Sequence, residues 1–250
     1  MRGRLLPLAL VALAALTACF PDQTLRHQTL ATYDSGRYPG FSLSAGSETA
    51  ELTRLLEARA PHLRLDQFSN MTQVSLSGVG VLFLTASAAP AQAPDPPLDL
   101  PEREAIRHFV LDGGHLVLLL DPPGMPGVIE MVDLVRRLGL DVTGSFAALQ
   151  RVRVEADAPP GLRDGRCGPV RELQVRDSAR LELGSGWRRV ALVDGGPIAA
   201  YLPAGTAAPA AGSVFVLGHS TGIRTQGGDV AARVLVCNAI LNGLAQVAGP

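Results

Sequence analysis

Three short apolar runs most constrain how this chain can fold. They occupy residues 79–84, 115–120 and 214–217, and stretches with a helical pattern separate or follow them. A run that is apolar at nearly every position predicts a strand covered on both faces. Because such strands alternate with helices, the sequence predicts an α/β fold: a mostly parallel, doubly wound sheet with helices on both faces.

The segments around these runs supply the remaining predicted elements. Residues 40–43 and 63–66 are predicted as strands. Four helices are predicted, over residues 48–60, 101–112, 127–138 and 229–247. Ser47 is the expected N-cap of the first helix, and Pro101 opens the second. Residues 145–203 instead alternate polar and apolar side chains between glycine turns, which predicts an antiparallel β insertion.

The first 19 residues have the three parts of an export signal. Arg2 and Arg4 precede an apolar core over residues 5–16, and small residues precede Cys19. This core is too short to span a membrane, which takes about 20 apolar residues. Leu16-Thr17-Ala18-Cys19 resembles the lipobox of bacterial lipoproteins, which implies cleavage before Cys19 and acyl chains such as palmitate on that cysteine. The alternative is an ordinary secretory signal with a chance cysteine.

This interpretation divides the chain into three parts. Residues 1–18 are the expected lipoprotein signal peptide, residues 19–37 a polar tether, and residues 38–247 a single α/β domain. We expect the domain to lie outside the cytoplasm, on the periplasmic side of the cell envelope. The membrane is then a partner through the lipid on Cys19.

Composition and motifs argue against several classes of partner. The formal net charge is −1 and aromatic residues make up 4% of the chain, so we expect no nucleic-acid partner. No C-x-x-C or H-x-x-x-H spacing occurs, which argues against a zinc site. Neither G-x-G-x-x-G nor a P-loop is present, so no nucleotide cofactor is indicated. We therefore predict no metal and no cofactor.

Two cysteines follow Cys19, namely Cys167 and Cys237. In an oxidising envelope compartment, an even pair of cysteines is typical of a disulfide. The alternative is that Cys237 is a buried thiol, because it lies in an apolar helical stretch. The sequence leaves both possibilities open.

Two segments resemble glutamine-amidotransferase-like domains of the flavodoxin-like class. Residues 100–118 resemble their helix, Gly-Gly and strand unit, and residues 213–220 with the helix that carries Asn238 resemble their closing strand and helix. Such domains occur in uncharacterised bacterial envelope proteins and in auxiliary components of gliding-motility ABC transporters. The resemblance implies a single α/β domain over most of residues 38–246.

The catalytic cysteine of that class has no counterpart here. The comparable strand ends in Leu120-Asp121-Pro122-Pro123-Gly124, and no His-x-Glu partner is evident. The resemblance therefore implies the fold without the enzyme centre. We expect a non-catalytic domain that binds a protein partner in the envelope or a small ligand, as an accessory to a transport or motility system.

A different motif offers an enzymatic alternative. Gly218-His219-Ser220-Thr221-Gly222 matches the G-x-S-x-G elbow of serine hydrolases and follows a predicted strand. The order of residues argues against it, because no histidine follows Ser220 and a loop separates the motif from the predicted helix. A glycine-rich turn at the end of a strand explains the same residues.

A ligand of a doubly wound sheet binds beyond the carboxyl ends of the strands. The predicted ligand edge collects seven residues: Ser44, Gly46, Ser47, Thr85, Asp121, His219 and Ser220. Helix N-termini at this edge, with Ser and Gly nearby, are suited to an anion. The alternative is that these residues only cap helices and face solvent in loops.

Overall fold

The computed structural model describes residues 28–34, 42–85, 98–124 and 128–247. Its strands are β1 (Thr29–Tyr33), β2 (Arg64–Phe68), β3 (Val81–Thr85), β4 (His115–Leu119), β5 (Leu140–Phe146), β6 (Gln150–Arg153), β7 (Asp164–Gly165), β8 (Gly168–Pro169), β9 (Glu172–Val175), β10 (Ser178–Leu183), β11 (Arg188–Val193), β12 (Gly196–Leu202) and β13 (Val214–Leu217). Its α-helices are α1 (Ala50–Arg59), α2 (Gln73–Leu76), α3 (Leu100–Leu111), α4 (Val128–Arg136), α5 (Pro160–Arg163) and α6 (Val230–Val247).

A seven-stranded sheet with the order β11-β12-β13-β4-β3-β1-β2 forms the centre of the molecule. Strands β13, β4, β3, β1 and β2 run parallel, while β12 pairs antiparallel with both β13 and β11. Strands β3, β4 and β13 are buried at every position, which explains why their sequences are continuously apolar. The predicted mostly parallel α/β fold is confirmed.

The parallel part of the sheet has the strand order 2-1-3-4-5 when only its own strands are counted. This order is that of flavodoxin-like doubly wound proteins. Helix α6 contacts α1 and lies against β3 and β4, whereas α3 contacts α4. Ligand sites in such sheets lie where the strands end, so the ends of β3, β4 and β13 position the candidate site.

The first strand differs from the prediction. Thr29–Tyr33 was expected in the tether, but it is fully buried between β2 and β3. Ser42 and Leu43, which were expected in a strand, lie in bends, and residues 40 and 41 fall outside the described part of the chain. The tether therefore cannot extend to residue 37. Threonine and tyrosine made β1 look polar, although both residue types favour strands.

The helices begin close to where the sequence placed them, with one change of capping residue. Helix α1 begins at Ala50 with Thr49 as N-cap, and the Ser47 hydroxyl accepts from the Thr49 amide at 3.2 Å instead of capping the helix. Helix α3 begins at Leu100, one residue before the predicted Pro101. Asp99 and Glu102 form its capping box, which satisfies amides at its N-terminus.

The antiparallel insertion is present, but its boundaries shift. It begins with β5 at Leu140, which pairs with β10, while β6 pairs with β9 and β7 with β8. Its last two strands, β11 and β12, join the central sheet and do not form a separate layer. The insertion thus extends the parallel sheet beyond β13.

A disulfide and an amide side chain fasten the insertion to α6. Cys167 and Cys237 are disulfide-bonded, with 6.0 Å between their Cα atoms. The Asn238 side chain accepts from the Cys167 amide at 2.8 Å and donates to the carbonyls of Leu162 and Gly168 at 2.9 and 2.8 Å. Cys19 lies outside the described residues. Within the described ranges, no helix has the length and apolar character needed to cross a membrane.

Candidate functional site

Three neighbouring strands deliver polar side chains to one edge of the sheet. Thr85 pairs with Leu119, and Leu119 pairs with Leu217, so β3, β4 and β13 end at the same level. Asp121 and His219 each follow two residues after these strand ends. Because adjacent strands lie about 4.8 Å apart, Asp121 stands between the chains that carry Thr85 and His219.

Asp121 and Ser220 are joined directly. The Ser220 hydroxyl donates to Asp121 Oδ1. Ser220 is fully buried and Asp121 is 4% exposed. The second carboxyl oxygen, Oδ2, is buried and has no hydrogen-bond partner among the described residues. A buried polar atom without a hydrogen-bond partner lowers the stability of the folded protein by about 1–3 kcal/mol, and such atoms are rare in native proteins.

His219 is a second buried group with an open polar atom. Burial lowers its pKa, while the charges of Asp121, Asp229 and Asp177 and a hydrogen bond to the Arg176 backbone carbonyl act in the opposite direction. The ring nitrogen Nδ1 has no partner within the described ranges. A neutral ring that carries its proton on Nε2 presents Nδ1 as an acceptor.

Two hydroxyl groups complete this edge. Thr85 Oγ1 and Ser178 Oγ are buried and, in the part of the chain that the structure describes, neither has a partner. Ser178 reaches the edge because the Ala179 amide donates to the Gly218 carbonyl at 2.6 Å. We call Thr85, Asp121, Ser178, His219 and Ser220 the strand-end cluster. Sequence reasoning missed Ser178, since it arrives from the insertion and no local pattern marks it.

The remaining predicted edge residues form a separate turn. The Ser47 amide and hydroxyl both donate to the Ser44 carbonyl, at 3.2 and 2.9 Å, and Gly46 is exposed between them. This turn precedes α1 and connects to the loop after β13, where the Thr225 amide donates to the Glu48 carbonyl at 2.6 Å. No hydrogen bond between described residues joins Ser44 or Ser47 to the strand-end cluster.

The glycines of the predicted hydrolase motif have a packing role. A Cβ atom on Gly218 would lie 2.5 Å from the Ala179 carbonyl oxygen. A Cβ atom on Gly222 would lie 2.6 Å from Cδ2 of His219. Both distances are too short for any side chain, so close approach of the insertion and of the His219 ring requires glycine at these two positions.

The motif enters a helix sooner than the sequence suggested, but no histidine base contacts its serine in the part of the chain that the structure describes. A 3-10 helix begins at Ser220 and ends at Ile223. The Ser220 hydroxyl donates to Asp121, and no histidine of the described ranges is hydrogen-bonded to it. His115 lies at the opposite end of β4, where its Nδ1 is 2.5 Å from the Ser213 hydroxyl. The geometry thus lacks the serine–histidine contact of a catalytic triad.

Carboxylates of the chain already occupy the N-termini of α3 and α6 at this edge. Asp99 Oδ1 accepts from the Glu102 amide at 2.8 Å at the start of α3. Asp229 accepts from the amides of Ala231 and Ala232 at the start of α6, at 3.2 and 3.3 Å. These amides are the groups that would hold an anion, so the starts of α3 and α6 are not open to one. Within the described ranges, no group of three or more His, Cys, Asp or Glu side chains could hold a metal ion.

Comparisons with known proteins show similarity of fold. No model of a protein family matches the chain, and no curated protein is significantly similar to it in sequence. The N-terminal domain of mmIFT52 is similar at 13% identity and a TM-score of 0.60, over 86% of this chain and 96% of that one. A ThuA-like protein from Bacteroides uniformis is similar at 14% identity and a TM-score of 0.50, over 84% and 88% of the two chains.

A β-galactosidase from Bacillus circulans sp. alkalophilus is similar at 14% identity and a TM-score of 0.55. The similarity covers 89% of this chain but only 31% of the β-galactosidase, so this chain corresponds to about a third of that enzyme. At these identities the comparisons show the fold alone. The strand order is that of a flavodoxin-like fold, and the ThuA-like protein, which is of a glutamine-amidotransferase-like class, is similar to this fold.

Proposed function

We propose that this chain is an envelope lipoprotein, anchored by lipid on Cys19, whose amidotransferase-like domain binds a small ligand or a protein partner without catalysing a reaction. The observation that carries the binding role is the strand-end cluster. Four of its five side chains, those of Thr85, Asp121, Ser178 and His219, hold a buried polar atom that lacks a partner in the described part of the chain.

The position of these atoms supports binding over simple structural use. Each open polar atom costs about 1–3 kcal/mol in the folded protein. Ligands of doubly wound sheets bind at the carboxyl ends of the strands, and these four residues lie at that edge. A ligand that supplies hydrogen bonds there offsets this energetic cost. If the edge were purely structural, the unpartnered atoms would destabilise the fold without compensation.

The disulfide supports the proposed location. Cys167 and Cys237 are bonded across 70 residues of sequence. Structural disulfides persist in oxidising compartments such as the periplasm and are rare in the bacterial cytoplasm. Together with the lipobox at Cys19, this favours an exported domain. An accessory role in transport or motility rests on the resemblance of residues 100–118 and 213–220 alone.

Site-specific photo-crosslinking tests the binding role in intact envelopes. Gln226 is exposed in the loop that follows His219 and Ser220 after β13, and Thr206 is exposed in the loop that precedes β13, at its opposite end. We expect a photo-reactive residue at 226 to capture a partner and the same residue at 206 to capture none. Capture of no protein at 226, combined with no bound small molecule in native mass spectrometry, contradicts the proposal.

The serine hydrolase alternative has its own test. We expect purified protein to leave p-nitrophenyl acetate and butyrate unhydrolysed above the background rate, because the Ser220 hydroxyl is buried and bonded to Asp121. The matched variant is Ser220→Ala. Turnover by the unmodified protein that disappears in this variant establishes the hydrolase and overturns the non-catalytic role.

A further inference from the structure

The open atoms of the strand-end cluster share one chemical property. Asp121 Oδ2 belongs to a carboxyl group whose other oxygen already accepts from Ser220. His219 Nδ1 is buried without a partner among the described residues, and it accepts a hydrogen bond when the ring proton is on Nε2. The Thr85 hydroxyl can accept or donate. Asp121 Oδ2 therefore requires a hydrogen-bond donor, and His219 Nδ1 and Thr85 Oγ1 can each accept from one.

The surrounding charges favour a cation. Asp121, Asp229 and Asp177 all act electrostatically on His219. Asp229 also closes the N-terminus of α6, so the positive end of that helix is already neutralised. An anion at this edge would meet carboxylates and acceptor atoms, and Asp229 already holds the amides at the start of α6.

We infer that the strand-end cluster binds the ammonium group of a small organic amine, with Asp121 Oδ2, His219 Nδ1 and Thr85 Oγ1 accepting its N–H groups. This inference rests on the proposed binding role and specifies its ligand class. An ammonium group carries three donors and no acceptor, which matches three acceptor positions. A ligand hydroxyl supplies only one donor for these three positions.

The test uses purified full-length protein in detergent and follows the midpoint of thermal unfolding. The probes are methylammonium chloride, tetramethylammonium chloride, glycerol and sodium phosphate, with ionic strength matched by sodium chloride. Tetramethylammonium has the same charge as methylammonium but no N–H donor. We expect methylammonium alone to raise the midpoint, with a saturable dependence on concentration.

Three variants connect the response to the cluster. Thr85→Val removes one acceptor and keeps the shape, so we expect methylammonium affinity to fall about tenfold. Asp121→Asn replaces Oδ2 with a donor, so we expect the response to vanish. It should also raise the midpoint without any probe, because the new amide can donate to the open acceptors. Asp157→Asn removes an exposed carboxylate elsewhere and should respond like the unmodified protein.

The outcomes separate this inference from the proposed function. Equal stabilisation by tetramethylammonium, or stabilisation by phosphate or glycerol that Asp121→Asn abolishes, overturns the ammonium assignment and leaves binding at this edge intact. If a partner is crosslinked at position 226 but no probe changes the unfolding midpoint, the ammonium assignment is likewise overturned while binding at this edge stands. If no probe acts, nothing crosslinks and Asp121→Asn lowers the midpoint, both the inference and the binding role fail.

Discussion

His115 is the first residue of β4 and is completely buried, with Nδ1 beside the Ser213 hydroxyl. Ser213 donates to Gln246 at 2.7 Å, so it accepts from His115, and Gly243 leaves room for the imidazole ring. Burial lowers the pKa of His115 from 6.5 to about 4, and contacts with the backbone carbonyls of Ala239 and Ser213 offset this only in part. The folded protein thus holds this histidine neutral.

This shift predicts a loss of stability in mild acid. Between about pH 6.5 and pH 4 the unfolded chain binds a proton at His115 that the folded chain does not. The free energy of unfolding should therefore decrease as pH falls through this window, by about 3 kcal/mol in order of magnitude. The measurement is urea unfolding at pH 7 and at pH 4.5.

Two variants assign that pH dependence to its residue. His115→Asn keeps a donor for Ser213 but does not titrate, so the slope should flatten. A smaller slope of the same sign remains from His219, whose pKa is also lowered by burial. His62→Asn changes an exposed histidine and should leave the slope unchanged. Identical slopes in all three proteins contradict the prediction.

The positions of four residues of the strand-end cluster can be predicted from the sequence. Thr85, Asp121, His219 and Ser220 follow apolar strands, and parallel strands bring their carboxyl ends to one edge. Ser178 was not predictable, because it depends on how the insertion packs against Gly218. The hydrogen bond from Ser220 to Asp121 was also not predictable, because it joins residues that are 99 positions apart in the sequence.

At the scale of elements, the sequence predicts those strands and helices that have a clear local pattern of apolar residues. Strands β3, β4 and β13 were located to within two residues because burial on both faces leaves an unmistakable apolar run. Strand β1 was missed because its five residues include two threonines and a tyrosine, and only the neighbouring strands reveal that they are buried. Strands β11 and β12 join the central sheet because β12 pairs with β13. The alternation of polar and apolar residues in the sequence does not specify this pairing.

The disulfide gives an element-scale prediction. It links the β7–β8 hairpin to α6 and closes a loop of 70 residues, which in the chain-entropy account stabilises the fold by about 4 kcal/mol. Dithiothreitol should therefore lower the urea midpoint of the unmodified protein. The double variant Cys167→Ala, Cys237→Ala should show a low midpoint with or without reductant. A midpoint that reductant does not move in the unmodified protein contradicts a structural role for the bond.

At the scale of the whole molecule, the proposed anchor and the sheet are close in sequence. Strand β1 begins at Thr29 and lies inside the sheet, ten residues after Cys19. Ten residues span at most about 36 Å when fully extended. A lipid on Cys19 would therefore hold the domain within roughly one domain diameter of the membrane surface. The domain would then meet ligands or partners only near that surface.

Removal of the anchoring cysteine tests this arrangement. Each buried CH₂ of an acyl chain contributes about 0.8 kcal/mol to membrane binding, and stable anchoring takes more than one chain. Within the described residues, no helix is long and apolar enough to cross a membrane. We expect Cys19→Ala to lose incorporation of labelled palmitate and to move the protein to the soluble fraction after cell disruption.

An uncleaved signal could retain the variant and imitate an anchor, so the experiment needs a matched pair. In both members residues 1–18 are replaced by a signal that the ordinary secretory peptidase removes, and Cys19→Ala is present. One member also carries Cys167→Ala and Cys237→Ala, which shows whether the other cysteines hold the protein at the membrane. Both should be soluble. If the processed Cys19→Ala protein still sediments with membranes, lipid on Cys19 is not what holds this domain there.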